Sequence, residues 1–293
     1  MLKIENLTKT YPGNIKALID VSLCIKKGIF GLIGPNGSGK SSLMRTIATL
    51  QEPDTGSIEF DDLNVLKQKQ EMRTILGYLP QEFGVYPTVT AENLLYHLAI
   101  LKGIVNRKQR EEHVNYLLER TNLYAHRKKR LGGFSGGMKQ RFGIAQALLG
   151  KPKIVILDEP TAGLDPNERH RFHNLLSELG ENMTVILSTH IIADVKELCN
   201  DMAIIKKGQI VSQTTPKSAV DSFENKIWSK IIPRSEAQLF SEKFNVISSK
   251  LHYGEILLKI LSDKQPPGFD HVNPSLEDVY FSHMDPSKET AQG

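Results

Sequence analysis

Eight consecutive residues, Gly34-Pro35-Asn36-Gly37-Ser38-Gly39-Lys40-Ser41, have the spacing that lets a chain wrap around phosphate. The glycines free backbone N–H groups to turn inward, Lys40 neutralises charge on the terminal phosphates, and the Ser41 hydroxyl can bind Mg2+. The segment follows the apolar run Ile29 to Ile33 and leads into a helical pattern from Ser41 to Leu50, the strand, loop and helix context that such a loop requires. Far downstream a second apolar run, Ile154-Val155-Ile156-Leu157, ends in Asp158 and Glu159. Ligands of α/β sheets gather at the carboxyl ends of strands. Asp158 is therefore expected to meet magnesium, and Glu159 to act as general base on an attacking water. Alone, two carboxylates after a strand are equally a solvated strand end; the loop upstream gives them the catalytic reading.

Between these segments, Gly132-Gly133-Phe134-Ser135-Gly136-Gly137-Met138 runs into an amphipathic stretch with Ile144, Leu148 and Leu149 and reads as a second helix start. A serine and two glycines at a helix amino terminus offer free N–H groups and a positive dipole end to an anion. By itself the same stretch is also an ordinary capped helix.

Together these segments resemble the ATPase cassette of ABC transporters from about Met1 to Val211. The resemblance makes Gly34 to Ser42 the Walker A loop, Ile154 to Asp158 the Walker B strand, Phe134 to Met138 the family signature, and Asp165, in Ala162-Gly163-Leu164-Asp165, the D-loop aspartate. It adds Tyr11 as the aromatic that stacks on adenine, Gln81 as the Q-loop glutamine near magnesium and the attacking water, and His190 as the switch histidine. Each has a plainer alternative: a half-buried surface aromatic, an amide bound to its own loop, a structural histidine. The signature departs from the family's commonest form at Phe134 and Met138, while Ser135, Gly136 and Gly137 are intact. In the family these three close over the ATP held by another copy. The resemblance thus implies ATP and Mg2+ as cofactors, a second ATPase subunit in a homodimer, and a transmembrane permease subunit. It places the chain at the cytoplasmic face of the cell membrane, held there through the permease.

The elements that must position these residues alternate. Leu2 to Leu7, Ile29 to Ile33, Leu76 to Leu79, Ile154 to Leu157 and Val185 to Leu187 read as strands, with helical patterns between several of them. Asp165-Pro166-Asn167-Glu168 reads as a capped helix start with Glu168 reaching back to the cap, and Gly180 as its end. Ile204 to Val211 reads as a hairpin turning at Lys206-Lys207-Gly208. The α/β rhythm stops near Thr214-Thr215-Pro216, which predicts an ATPase domain over residues 1–216 and an accessory extension over 217–293. The fold class expected is α/β: a phosphate-loop NTPase of the ABC type, with a parallel-sheet core, an antiparallel β part, a helical signature subdomain and a small C-terminal domain. Pro274 to Phe281 resembles the extension of ATPase subunits in type 2 exporters, which points to export.

Composition bounds the rest. At 293 residues and 40% hydrophobic content the chain can bury a sizeable core, and a formal charge of +4 favours neither nucleic acid nor an anionic membrane. Cys24 and Cys199 have no paired spacing and read as free thiols. No apolar run approaches the roughly 20 residues of a membrane span, and Lys3, Glu5, Lys9 and Lys16 break any secretory core. The permease should dock after Gln81, on Glu82 to Thr90 and the helix Ala91 to Leu101. Phe83 and Tyr86 are equally candidate anchors there or packing residues of the subdomain. The basic run His126 to Arg130 reads as solvated surface and carries no expectation of nucleic acid, and His170 with His173 as no metal site. A ribosome-directed ABC ATPase resembles two tandem cassettes, a DNA-repair ATPase needs a long heptad insertion, and a phosphate-loop kinase or GTPase leaves the signature, Gln81 and His190 without roles. An importer remains open within the transporter reading.

Overall fold

In the computed structural model, residues 1–81, 83–84, 86–161 and 164–284 are described. Glu82 and Val85 of the expected docking segment, and Ala162 and Gly163 of the D-loop motif, lie outside the described residues. The first of two units, Met1–Gln213, holds every candidate site residue.

Its elements in chain order are β1 (Leu2–Tyr11), β2 (Ile15–Ile25), β3 (Gly28–Ile33), α1 (Lys40–Ile47), β4 (Thr55–Phe60), β5 (Leu63–Asn64), α2 (Lys69–Ile75) and β6 (Leu76–Leu79). There follow α3 (Ala91–Leu101), α4 (Arg107–Arg120), α5 (Gly136–Ala147), β7 (Ile154–Asp158), α6 (Pro166–Gly180), β8 (Thr184–Thr189), α7 (Ile192–Leu198), β9 (Asp201–Lys206) and β10 (Gln209–Thr214). A six-stranded sheet has the order β10-β9-β3-β8-β7-β6, and a four-stranded sheet the order β2-β1-β4-β5. Strands β9, β3, β8, β7 and β6 run parallel, so their carboxyl ends share one edge. The β9–β10 turn is tight because Lys207 and Gly208 both take positive φ.

All five residues of β7 are buried, which is why that segment is apolar without alternation. Its odd and even positions serve different cores. Val155 and Leu157 join α3 to α6 in one apolar cluster, whereas Ile154 and Ile156 join α1 and the antiparallel sheet in the other. A strand sandwiched in this way cannot slip register without exchanging its two faces, and the acidic pair at its end is fixed accordingly.

The second unit, Thr214–Gly293, contains α8 (Pro216–Asp221), β11 (Ile227–Ile232), α9 (Ala237–Lys243), β12 (Val246–His252), β13 (Glu255–Leu261), β14 (Asp270–His271) and α10 (Leu276–Met284). Its antiparallel sheet has the order β12-β13-β11-β14. Trp228, Leu258, Ile260 and Phe269 form the core, closed by Phe240 and Phe244 beside α9. The buried Asp278 of α10 takes two hydrogen bonds from Lys259, at 2.9 and 3.0 Å, and ties that helix to β13.

Candidate functional site

The chain leaves β3 at Gly34 and enters α1 at Lys40. A Cβ at Gly34 would lie 2.4 Å from the Ile205 carbonyl oxygen, and one at Gly39, whose φ is 109°, would lie 2.4 Å from that of Ala17. Only glycine permits so close an approach. The loop is closed by Ser38 N–H donating to Pro35 O at 3.2 Å, and anchored by Gly208 N–H donating to Ser38 O at 2.8 Å. Pro35, Asn36 and Gly37 form its exposed rim. No side chain caps α1 and its first turn holds no acid, so its amides are available to an anion.

Lys40 is only 5% exposed. Its ammonium donates to Gly34 O at 2.7 Å and Pro35 O at 3.1 Å. Burial lowers the lysine's pKa below its usual range, while Glu159 and Asp158 pull the other way. Ser41 and Ser42 follow on α1, both half-buried. Tyr11, at the end of β1, donates its hydroxyl to Gln51 Oε1 at 2.8 Å and lies 3.2 Å from Ser42 Oγ. Gln51 completes the clamp by donating to Ser42 O at 2.9 Å and Thr46 Oγ1 at 2.8 Å.

Strand register places the acids beside this loop. Ile33 pairs with Thr189, and Asp158 with Ser188, so Gly34, Asp158, Glu159 and His190 emerge from neighbouring strand ends. Asp158 is 2% exposed, and its Oδ1 is buried without a hydrogen-bond partner. Glu159 is 8% exposed and holds φ at 52°, in the left-handed region. Its N–H donates to Ser188 O at 2.9 Å, and its Oε2 lies 3.0 Å from His190 Nδ1. Gln81 is exposed two residues past Leu79, the residue of β6 paired with Leu157, and so lies on the same sheet edge.

Ser135 caps α5, its Oγ accepting from Met138 N–H at 3.2 Å, with Ser135 and Gly136 exposed and Phe134 buried. Gly137 is enclosed: a Cβ there would fall 1.8 Å from Glu168 Oε2. Asp165 caps α6 by accepting from Glu168 N–H at 2.8 Å. The reciprocal half of that expected capping box is corrected: the Glu168 carboxylate turns toward Gly137 and accepts from Arg141 at 3.2 Å. An ion pair to the signature helix here outcompetes a local backbone contact.

Sequence reasoning missed Gln51, Arg141 and a buried group around Asp194, which act through the remote residues Tyr11, Glu168 and Thr161 respectively. His173 belongs to that group, with Nε2 2.7 Å from Asp194 Oδ1 and Nδ1 3.0 Å from Glu197 Oε2. Among the described residues no group of three His, Cys, Asp or Glu has metal-holding geometry, and none of their helices is long and apolar enough to cross a membrane. A cavity of about 870 Å3 lined by residues such as His113, Tyr116, Leu175 and Met183 shares no residue with the phosphate loop.

The family model described as ABC transporter matches residues 18–162. The uncharacterized ABC transporter ATP-binding protein YxlF of Bacillus subtilis is 34% identical over 297 residues, covering 96% of this chain and 98% of its own length. The bacitracin transport ATP-binding protein BcrA of Bacillus licheniformis is 37% identical over 73% of this chain and 69% of its own. The methionine import ATP-binding protein MetN 1 of Bacillus thuringiensis is 35% identical over 73% and 66%. Among solved structures, an ATP-binding cassette captured as a dimer after hydrolysis, with ADP and Pi bound, superposes with a TM-score of 0.68 at 28% identity. The match covers 73% of this chain and 98% of that one.

Proposed function

Because the chain belongs to the ATP-binding subunits of ABC transporters and is an ATPase coupled to transport, we propose that two copies close around Mg-ATP and drive a separate membrane permease in export. The observation that carries the chemistry is the 3.0 Å contact between Glu159 and His190, beside a phosphate loop built for close backbone approach. The buried Lys40 and uncapped α1 suit a triphosphate, and the unpartnered Asp158 Oδ1 suits a divalent cation. Ser41, Asp158 and Gln81 would hold Mg2+, which supplies charge neutralisation at the β- and γ-phosphates.

In this reading Lys40 exchanges its bonds to Gly34 and Pro35 for the phosphate oxygens, and Tyr11 lays its ring on adenine. Glu159 accepts a proton from the water that attacks the γ-phosphorus, as the bond to ADP breaks and phosphate departs. His190 holds the Glu159 carboxylate in place and reaches the γ-phosphate. Ser135, Gly136 and Gly137 of the second copy close the site, with Asp165 at the seam. ATP bridges the pair, and hydrolysis removes the bridge.

Our export reading rests on the resemblance of Pro274 to Phe281 to the extension of type 2 exporters and on the likeness to BcrA, a bacitracin transport protein; MetN 1 keeps import as the second reading. For the permease, Phe83 is already packed on Gly143 in the helical cluster, whereas Tyr86 is 66% exposed. A groove of about 290 Å3, lined in part by Leu50, Tyr78, Leu98 and Leu101, adds apolar surface, with Leu101 72% exposed. We assign the permease contact to these features.

The test uses tagged Glu159→Gln protein with Mg-ATP in gently solubilised native membranes. A polytopic membrane protein in stoichiometric amount is the expected companion; ribosomal proteins, or no membrane chain, would end the transport reading. Direction is checked in cells carrying only Glu159→Gln: heightened sensitivity to drugs, antibiotic peptides or sodium supports export, and a growth defect confined to limiting nutrient supports import.

A further inference from the structure

Asp194 is fully buried in the first turn of α7, four residues after His190. Its Oδ2 accepts from Thr161 Oγ1 at 2.7 Å. Its Oδ1 accepts from Arg169 Nε at 2.7 Å, pairs with the same guanidinium at Nη2, 2.6 Å away, and lies 2.7 Å from His173 Nε2. Enclosing a carboxylate costs several kcal/mol unless pairing offsets it, and a well-packed apolar residue often serves stability as well. The choice of partners therefore matters more than their number. Thr161 stands two residues after Glu159, and Arg169 and His173 stand on the helix that Asp165 opens. One carboxylate thus joins the segments that carry the general base, the switch histidine and the D-loop aspartate.

The backbone makes the connection specific. Glu159 N–H donates to Ser188 O at 2.9 Å, one tie between the two segments just before His190. Thr161 to Asp194 is a second tie, just beyond both residues. Between them the turn bearing His190 is fixed by Ile191 N–H to Thr189 Oγ1 at 2.9 Å and by Asp194 N–H to Ile191 O at 3.1 Å. The Glu159–His190 contact lies inside this bracket. Glu159 also holds φ at 52°, a conformation that is unfavourable for a residue with a Cβ and persists where neighbours impose it.

We propose that Asp194 is a positioning residue for ATP hydrolysis: with Thr161 it holds Glu159 in its left-handed conformation and keeps His190 Nδ1 within reach of the carboxylate. The inference rests on the roles proposed above for Glu159 and His190. It requires neither Asp194 nor Thr161 to touch nucleotide.

The experiment uses the full-length purified chain with Asp194→Asn, Thr161→Val, Thr161→Ser, His190→Ala and Glu159→Gln. Asp194→Asn and Thr161→Val are expected to lower kcat roughly ten- to a hundred-fold with KM changed less than about two-fold, the cost of a small misplacement of reacting groups. Thr161→Ser, which keeps the hydroxyl, should restore kcat. Once His190 is alanine, Asp194→Asn and Thr161→Val should each lower kcat by a smaller factor than in the wild type, leaving only the part that acts through the Glu159 conformation. Independently of turnover, hydrogen exchange should quicken in the peptides that contain Glu159 and His190. Wild-type kcat in both Asp194→Asn and Thr161→Val overturns the proposal, as does a loss that multiplies in full with His190→Ala. Thr161→Val decides the matter where Asp194→Asn fails to fold. An active Glu159→Gln overturns the base assignment beneath the proposal, whereas an inactive Glu159→Gln beside undisturbed Asp194→Asn and Thr161→Val overturns the tie alone.

Discussion

Lys40 spends its ammonium on two carbonyls of its own loop, at 2.7 and 3.1 Å, and burial holds its pKa below the usual lysine range. Phosphate raises that pKa by adding negative charge, so binding takes up a proton wherever free Lys40 has begun to lose one. Affinity for ATP should therefore fall as alkaline pH passes through the depressed lysine value, earlier than for a lysine in water. Calorimetry in buffers of different ionisation enthalpy should detect the proton uptake, and Lys40→Met should abolish it. The Tyr11 clamp gives a second expectation at this scale. Tyr11→Phe removes the bond to Gln51, worth about 1 kcal/mol, whereas Gln51→Leu removes that bond and the two to Ser42 O and Thr46 Oγ1. Tyr11→Phe should therefore weaken ATP binding roughly five-fold, Gln51→Leu more, and the double variant little more than Gln51→Leu alone. Titration with ATP under non-hydrolysing conditions reads this, and independent, fully multiplied losses would exclude the clamp. The contrast between these residues shows what was legible in the sequence. Gly34 to Ser41 is one contiguous segment whose spacing is its function. Gln51 and Asp194 act on side chains that folding brings to them across 40 and 33 positions, as Tyr11 and Thr161, and no local pattern marks them.

Parallel strands announce themselves at the scale of the element because burial on both faces leaves them apolar throughout: Leu76 to Leu79 is β6, and Ile154 to Leu157 is β7 but for Asp158. The long antiparallel strand β2, Ile15–Ile25, has exposed positions among its buried ones, and its mixed sequence hid it. So did the charged α4, which buries only Val114, Leu117 and Leu118. In the second unit the short apolar run Ile256 to Leu261 lies in β13, but the partners of its antiparallel sheet are non-local, and no local pattern announces them. The signature helix depends on a contact of the same hidden kind. Gly137 leaves room for Glu168, which pairs with Arg141 and so joins α5 to α6. Gly137→Ala forces the flexible carboxylate aside and breaks that pair, which is half-sheltered and worth about 1 kcal/mol. The unfolding midpoint should fall by a few degrees. ATPase activity should fall much further if α5 must be aimed at a phosphate, and a loss of activity no greater than the loss of folded protein would show that the aim does not matter.

In the dimer proposed above, two half-sites decide how the whole molecule works. The phosphate loop, with Lys40, lies at the edge of the parallel sheet, while Ser135 and Gly136 stand exposed at the start of α5, where the Ser135 hydroxyl takes up the Met138 amide and the first amides of the helix face an anion. If two copies meet about a two-fold axis, each loop is completed by the other copy's signature, and the contact is made twice. The arrangement has a consequence that no single-chain site shares. Lys40→Ala destroys the loop of its own copy but leaves that copy's Ser135 intact; Ser135→Arg does the reverse. Each variant alone should be inactive. In an equal mixture that exchanges freely, half the dimers are mixed, and each mixed dimer holds one intact composite site and one doubly broken one. Hydrolysis should then return to about a quarter of the wild-type rate if the two sites fire independently, and to less if both must be whole for either to fire. Light scattering of Glu159→Gln with ATP supplies the companion measurement, since a trapped dimer is expected there and a persistent monomer would remove the basis for a composite site. With a stable dimer formed, a mixture that stays inactive means that hydrolysis requires two complete sites, whereas recovery to about a quarter means that each site works from one loop and one borrowed signature.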